Sequence, residues 1–121
     1  MKLEKIECDF CVCQIKSIEQ INFMRKYVFL SKTTDEISLV CETDYLPSDA
    51  VACEHGWKAL KIIGVLDFNM VGVIAKISNI IANADIGIFV VSTYNTDYLF
   101  FKAENYDKAI EELTHNGYII E

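Results

Sequence analysis

Cysteine is the residue type in this chain with the clearest capacity for metal or redox chemistry. Five cysteines occur among 121 residues; three are closely spaced as Cys8-x-x-Cys11-x-Cys13, whereas Cys41 and Cys53 follow far along the chain. Thiolates are good zinc ligands, but no paired Cys-x-x-Cys motifs are present to complete a shell. In a strand, Cys11 and Cys13 would face one side and Cys8 the other. We therefore expect free, buried structural cysteines and no metal site, and keep a thiol or metal protein as an alternative.

The two histidines are the other candidates for acid–base chemistry. We expect no nucleophile near His55 or His115, and His115 stands near the end of a predicted helix, where an imidazolium would favour the dipole. The chain also has no nucleophile motif, phosphate-binding loop or dinucleotide fingerprint. The sequence therefore predicts a protein that is not an enzyme, with no catalytic residues and no cofactor.

Two polar segments of the second half could instead bind a ligand. They are the hairpin tip Ser92–Asp97 and the turn Asp67–Val73 that precedes a predicted helix. The first turn of a helix offers unpaired backbone N–H groups and a positive dipole end, and Gly72 has no Cβ to keep a ligand away. A carboxylate could bind there. The alternative interpretation is an ordinary polar turn and a packing glycine.

The elements that position these segments follow from the spacing of apolar residues. A helix is predicted over Val71–Ala84, capped by Asn69, because Ile74, Ile77 and Ile81 recur at helical spacing. A second helix begins after Asn105, a predicted cap, and ends near Gly117, which is predicted to take a left-handed conformation. The predicted strands are Ala59–Leu66, Ile88–Tyr94, Asp97–Lys102 and Tyr118–Ile120. The order βαββαβ is that of ferredoxin-like folds.

The first half is predicted to be a reduced copy of the second. A strand over Phe10–Ile15 and a short helix or loop over Ile18–Arg25 precede two strands that flank a Thr34-Asp35 turn. Thr34–Val40 can be laid over Thr96–Lys102, which indicates an internal repeat. The fold class is therefore α+β: two ferredoxin-like modules packed together, a reduced one over residues 1–56 and a complete one over residues 57–121.

Charge and hydropathy limit the kinds of partner that this chain is expected to bind. The net charge of −7 opposes binding to phosphate backbones and anionic lipids, so nucleic acid is not expected. Although 52% of the residues are hydrophobic, no apolar run is long enough to span a bilayer, and the first residues do not form a signal peptide. We expect a cytoplasmic protein that does not bind membranes.

Five segments carry a family resemblance. In the second half they are Trp57–Phe68, Val71–Ala75 and Ile86–Tyr98, and in the first half Thr34–Cys41 and Cys53–Trp57. These segments resemble the tandem ACT-domain amino-acid-binding proteins of bacteria, which are similar to the ACT modules of cytosolic arginine sensors in animal cells. The resemblance implies two ACT modules of ferredoxin-like fold and a regulatory sensor that binds an amino acid without catalysis.

The resemblance also assigns residues to the site. The ligand carboxylate would meet backbone N–H groups around Val71, Gly72 and Val73, and its ammonium or a cationic side chain would meet Asp97. The other implied lining residues are Tyr94, Asn95 and Thr96 and, on a strand of the first module, Ser38 and Val40. We expect a dimer formed through edge strands and an allosteric response to occupancy. The alternative is a module that binds a protein partner and no small ligand.

Overall fold

The computed structural model describes residues 1–66 and 69–121. The helices are α1 (Val73–Asn83) and α2 (Tyr106–His115). The strands are β1 (Lys2–Ile15), β2 (Val28–Lys32), β3 (Ile37–Glu42), β4 (Ala50–Ile62), β5 (Phe89–Ser92), β6 (Asp97–Lys102) and β7 (Ile119–Ile120). Single 3-10 turns lie at Thr43–Tyr45 and Ala103–Asn105. Within the described ranges, no helix combines the length and apolar character needed to cross a membrane.

The chain divides into two compact units. The helical unit comprises Met1–Glu7 and Lys58–Glu121, and the cysteine unit comprises Cys8–Trp57. From β4 onward the element order is strand, helix, two strands, helix, strand. This is the predicted βαββαβ order, and the α+β ferredoxin-like fold class is confirmed. The predicted module boundary between residues 56 and 57 stays a prediction.

The helical unit packs both helices against a sheet ordered β7, β1, β4, β6, β5. Residue Lys2 of β1 pairs in parallel with Ile119, and β5 pairs antiparallel with β6 from Phe89 opposite Phe100 to Ser92 opposite Asp97. Helical spacing brings apolar positions of α1 and α2 onto the sheet. The fully buried core residues include Leu60, Ile62, Ile77, Ile81, Leu99, Phe101, Ala109 and Leu113.

The cysteine unit is built from strands and loops, with no α-helix over residues 8–57. The strand order is β2, β3, β1, β4, and the pairing of β1 with β3 is antiparallel, with Cys11 opposite Cys41. The segment predicted as a short helix or loop, Ile18–Arg25, is a loop. One buried cluster of this unit consists of Cys11, Cys13, Ile15, Leu39 and Cys41.

The structure corrects several element boundaries. Strand β4 begins at Ala50 and ends at Ile62, so the predicted strand Ala59–Leu66 is misplaced at both ends. Its continuation is stopped near Gly64, whose φ of 98° is incompatible with an extended strand. The predicted cap Asn69 is wrong because α1 starts after Gly72. Asn105 does not cap α2 with its side chain, since its own backbone is helical at φ −105° and ψ −4°. Gly117 does take the predicted left-handed conformation, at φ 91°.

The two hairpins have the same pairing next to their turns, in a register that differs from the predicted overlay. In β2–β3, Lys32 pairs with Ile37, and in β5–β6, Ser92 pairs with Asp97. The two hairpins therefore match when residue 37 is set against residue 97. The overlay of Thr34 on Thr96 predicted from the sequence is displaced from this by two residues.

Candidate functional site

A cavity of about 320 Å³ lies in the helical unit beside the β5–β6 turn and the start of α1. The described residues that line it are Leu66, Met70, Gly72, Val73, Ile74, Ala75, Ser92, Thr93, Tyr94, Asn95, Thr96 and Asp97. Its size is at the small end of the range for ligand pockets. Described residues of both segments that the sequence singled out, three from the turn before α1 and all six from the hairpin tip, thus line one cavity.

The N-terminus of α1 forms one wall of this cavity. Its N-cap residue, Gly72, has φ 83°, a left-handed conformation that favours glycine. The first N–H group of the helix with a helical acceptor belongs to Lys76, which donates to the Gly72 carbonyl at 3.0 Å. The N–H groups of Val73, Ile74 and Ala75 have no acceptor within the helix. Because glycine offers no capping side chain, this wall presents polarised donors and the positive end of the dipole.

The reason for glycine at position 72 is its backbone conformation. A Cβ atom placed on Gly72 would meet no atom within 4 Å, so the site has room for a side chain. A left-handed φ, however, costs an L-residue about 1–2 kcal/mol. The glycine therefore sets where α1 begins, which fixes the position of the N–H groups of its first turn.

The β5–β6 turn forms the opposite wall and is held by its own hydrogen bonds. The Thr93 N–H and hydroxyl both donate to the Thr96 carbonyl, each at 2.8 Å. The Thr96 hydroxyl, in a side chain that is only 4% exposed, donates to the Ile62 carbonyl at 2.8 Å. The Asn95 carbonyl accepts a bond of 2.7 Å from the Leu66 N–H. These bonds attach the turn to the end of β4 and hold its shape.

Asp97 supplies the charge of this site. It is the first residue of β6, it is half-buried, and it is the one charged side chain among the described lining residues. A partly buried carboxylate attracts a cation more strongly than an exposed one does. The cavity therefore combines a wall that favours an anion with a side chain that favours a cation.

The predicted site residues divide among three places. Gly72, Val73 and the segment Tyr94–Asp97 line the cavity described above. Val71 is 95% exposed and, with Gly72 and Val73, lines a second cavity of the helical unit, of about 720 Å³. Ser38 and Val40 lie on β3 in the cysteine unit, where Ser38 lines a cavity of about 210 Å³. Asp67 and Phe68, which belong to the predicted turn, lie outside the described residues.

Sequence reasoning missed several lining residues. Leu66 precedes the predicted turn, Met70 lies within it but was not predicted as a ligand contact, and Ile74 and Ala75 lie in the first turn of α1. The helical spacing had assigned Ile74 to the core-facing stripe, where it is partly buried. The first-turn residues of α1 could have been predicted from the sequence, because any ligand at a helix N-terminus must lie against the residues of the first turn.

The cysteine unit brings together residues that are far apart in the sequence. The sulfur atoms of Cys11, Cys13 and Cys41 lie within 4.8 Å of one another, as do the ligand atoms of Cys11, Cys53 and His55. A hydrogen bond with Cys41, followed by burial, raises the pKa of Cys11. Burial raises the pKa of Cys13 to about 12 and that of Cys53 to about 11. Thiols that stay protonated at neutral pH are poor nucleophiles.

Three solved structures share this fold. A protein of Agobacterium tumefaciens is 27% identical with a TM-score of 0.85, and the match covers 99% of this chain and 91% of that one. A Vibrio cholerae protein of unknown function is 16% identical with a TM-score of 0.73, over 92% of this chain and 85% of that one. Aspartate kinase of Clostridium acetobutylicum is 15% identical with a TM-score of 0.63, over 93% of this chain and 32% of the kinase.

The sequence comparisons give the family. No curated protein matches the chain. The profile of the ACT domain, by contrast, matches residues 52–115, which is more than half of the chain and includes β4 from Ala52 onward, both helices and the β5–β6 hairpin. With the βαββαβ order and the cavity at the start of α1, this match shows that the chain belongs to the ACT-domain family.

Proposed function

We propose that this protein is a regulatory protein that binds a free amino acid in the cavity between α1 and the β5–β6 turn, without catalysing a reaction. The observation that carries the proposal is the pairing, in one small cavity, of an open helix N-terminus with the carboxylate of Asp97. An amino acid carries a carboxylate for the first and an ammonium for the second.

Membership of the ACT family supports the regulatory part of the proposal. The fold is shared with aspartate kinase of Clostridium acetobutylicum, which is described as an allosteric enzyme. This chain covers about a third of that kinase, so its output need not resemble that of the kinase. The raised thiol pKa values speak against nucleophilic catalysis by the buried cysteines.

We also propose that the cysteine unit is a second, reduced ACT module, as in a tandem protein. The support is the hairpin that both units contain, with the same pairing of the residues that flank the turn. Ser38 and Val40 stay predicted ligand contacts from this module.

The direct test is calorimetric titration of the purified protein with each of the twenty amino acids. We expect one chemical class to bind, and the same compound to raise the melting temperature, because a ligand at about 100 times its Kd stabilises by roughly 2.7 kcal/mol. For the amino acid that binds, the α-amide lacks the carboxylate and the N-acetyl derivative lacks the ammonium. Both derivatives should bind more weakly than the parent compound.

The matched variants are Asp97→Asn and Asp35→Asn. Both remove one negative charge without changing side-chain size, and Asp35 lies in the exposed turn of the β2–β3 hairpin. We expect Asp97→Asn to weaken binding roughly 10–100-fold, the value of a charge-assisted hydrogen bond, and Asp35→Asn to bind as the wild type does. Equal affinity in the two variants would refute the assignment of Asp97.

A second candidate function is recognition of a protein, including a second copy of this chain. It is favoured by the exposed apolar side chains of the helical unit near the turn before α1 and the hairpin tip, namely Val65, Met70, Val71 and Tyr94. Light scattering with and without an amino acid separates the candidates. A dimer whose formation depends on the amino acid supports the regulatory proposal, whereas assembly without any amino-acid binding supports protein recognition alone.

A further inference from the structure

The cysteine unit holds a cluster of soft donor atoms that the amino-acid site does not use. Cys11 and Cys13 lie on β1, Cys41 on β3, and Cys53 and His55 on β4. Three of these thiols are buried, at 0%, 3% and 4% exposure for Cys11, Cys13 and Cys41. Four of the five cysteines of the chain therefore belong to one cluster, which we call the thiol cluster.

Sheet geometry creates this cluster. Residues two apart on a strand share a face, which places Cys11 beside Cys13 and Cys53 beside His55. The antiparallel register sets Cys11 directly opposite Cys41, and β4 is the other neighbour of β1. Cys11 is thus the central residue, near Cys13 and Cys41 on one side and near Cys53 and His55 on the other.

The separation of the Cys11 and Cys41 sulfur atoms is that of a metal–thiolate site. With metal–sulfur bonds of about 2.3 Å, the sulfurs of a tetrahedral or trigonal site lie about 3.8–4.0 Å apart. The Cys11 and Cys41 sulfurs are 3.7 Å apart, and Cys13 lies within 4.8 Å of both.

We propose that Cys11, Cys13 and Cys41 bind one thiophilic metal ion, and that monovalent copper fits this three-thiol site best. Zinc in structural sites is almost always held by four ligands, whereas Cu(I) is selected by soft thiolates and accepts a lower coordination number. Cys53 and His55 lie next to Cys11 on the more exposed side of the cluster and serve as the first donors that an arriving ion meets.

Metal uptake by these thiols should depend on pH. Each thiol that binds the metal releases one proton, so we expect copper uptake to increase as the pH rises. The cation in turn offsets part of the thiolate charge that burial disfavours.

The test is an anaerobic titration of the reduced protein with Cu(I), supplied from a complex with a competing chelator. Native mass spectrometry should show one copper ion per chain. X-ray absorption at the copper edge should show a shell of sulfur alone. Two results for the wild-type protein would overturn the proposal. In the first, the protein retains no copper in the presence of the chelator. In the second, the copper is surrounded by nitrogen and oxygen ligands.

Serine variants then locate the site. Cys8 is the matched control, because it lies on β1 outside the thiol cluster and its thiol donates to Glu42 at 3.6 Å. Loss of a group that only orients a metal ligand costs about 10–100-fold in affinity, so loss of a ligand should cost more than about 100-fold. We expect this loss in Cys13→Ser and Cys41→Ser, each checked for folding by circular dichroism, and full affinity in Cys8→Ser. Full affinity in either cluster variant would contradict the assignment.

Discussion

The hairpins of the two units are built alike but have different neighbours. The turns after β2 and after β5 each begin with a threonine whose N–H donates to the carbonyl three residues on, at 3.0 Å for Thr33 and 2.8 Å for Thr93. Next to the second hairpin the open end of α1 completes a cavity lined by Thr96 and Asp97. At the equivalent positions the first hairpin has the exposed Glu36 and the half-buried Ile37, and its unit contains no α-helix.

This comparison shows which features belong to both hairpins and which belong only to the proposed site. A hairpin of this kind forms in both units, so its turn alone does not make a binding cavity. In the helical unit, the helix start set by Gly72 adds backbone donors, and residue 97 adds a carboxylate. The cysteine unit has no α-helix over residues 8–57, and three of the five buried residues of one of its core clusters are cysteines.

The largest expected difference between the units is in their cores. Phe101 is fully buried on β6, and the hairpin register places it at the position that Cys41 occupies on β3. Phe101→Ala should lower the free energy of unfolding by about 3–5 kcal/mol through loss of buried area and the resulting cavity. Cys41→Ala, which removes one sulfur atom, should cost on the order of 1 kcal/mol. Urea unfolding measures both, and equal losses would show that the two cores are equally packed.

Alkaline pH should destabilise the cysteine unit selectively. Burial raises the pKa of Cys13 to about 12, so the folded protein keeps this proton at pH values where the unfolded chain, with a thiol pKa of about 8.5, has lost it. The contribution of this thiol to the free energy of unfolding is fully present below about pH 8.5. It decreases as the pH rises toward 12, by on the order of 1 kcal/mol per pH unit.

The check on this pH dependence is urea unfolding of the reduced protein at pH values from about 7.5 to 10. Cys13→Ala should decrease the slope of unfolding free energy against pH. A wild-type free energy that stays level across this range, or a variant with an unchanged slope, would contradict the effect of burial on this thiol.

A smaller effect is expected where α1 begins. Gly72→Ala places a Cβ in a left-handed conformation and should cost about 1–2 kcal/mol or shift the helix start, which would also weaken amino-acid binding. Gly87→Ala is the control, because Gly87 does not have a positive φ and a Cβ there would meet no atom within 4 Å. Thermal unfolding measures the stability of both variants, and calorimetry measures their affinity for the amino acid. Equal stability and equal affinity in the two variants would contradict the conformational role of Gly72.

The smallest expected effect concerns equivalent turn residues. Thr96→Val removes the buried hydroxyl that donates to the Ile62 carbonyl and should cost about 1 kcal/mol. Glu36→Ala, at the matching position of the first hairpin, changes an exposed side chain and should stay within about 0.5 kcal/mol of the wild type. Chemical denaturation measures the free energy of unfolding of both variants. A larger decrease for Glu36→Ala than for Thr96→Val would contradict this prediction.

Local patterns were enough to predict most of the helical unit. Apolar spacing located α1 and α2, and strand propensity on both sides of short polar turns located both hairpins. Helix starts were less accurate, because Asn69 and Asn105 are good capping residues whereas the position of Gly72 and a 3-10 turn decided where the helices begin. Strand β4 was predicted short because the apolar run of Ala59–Leu66 is stronger than the polar sequence that precedes it.

The thiol cluster could not be predicted from local spacing. The placement of Cys11 and Cys13 on one face of β1 was predicted correctly, whereas Cys41 and Cys53 were considered distant from them. The pairing of β1 with β3 brings together sulfurs of residues 30 positions apart, and that pairing depends on long-range register. Likewise, the family resemblance predicted Thr96 as a lining residue, whereas its bond to the Ile62 carbonyl depends on where β4 ends.

The most direct test of the central claim is a ¹H–¹⁵N NMR titration of the protein with the amino acid identified by calorimetry. The account predicts saturable shifts of the amide signals of Val73, Ile74 and Ala75 and of Asp97, with the matching turn Thr33–Glu36 unaffected. Shifts confined to other regions, or equal in both hairpins, would contradict the claim that the open N-terminus of α1 and Asp97 make one hairpin a binding site.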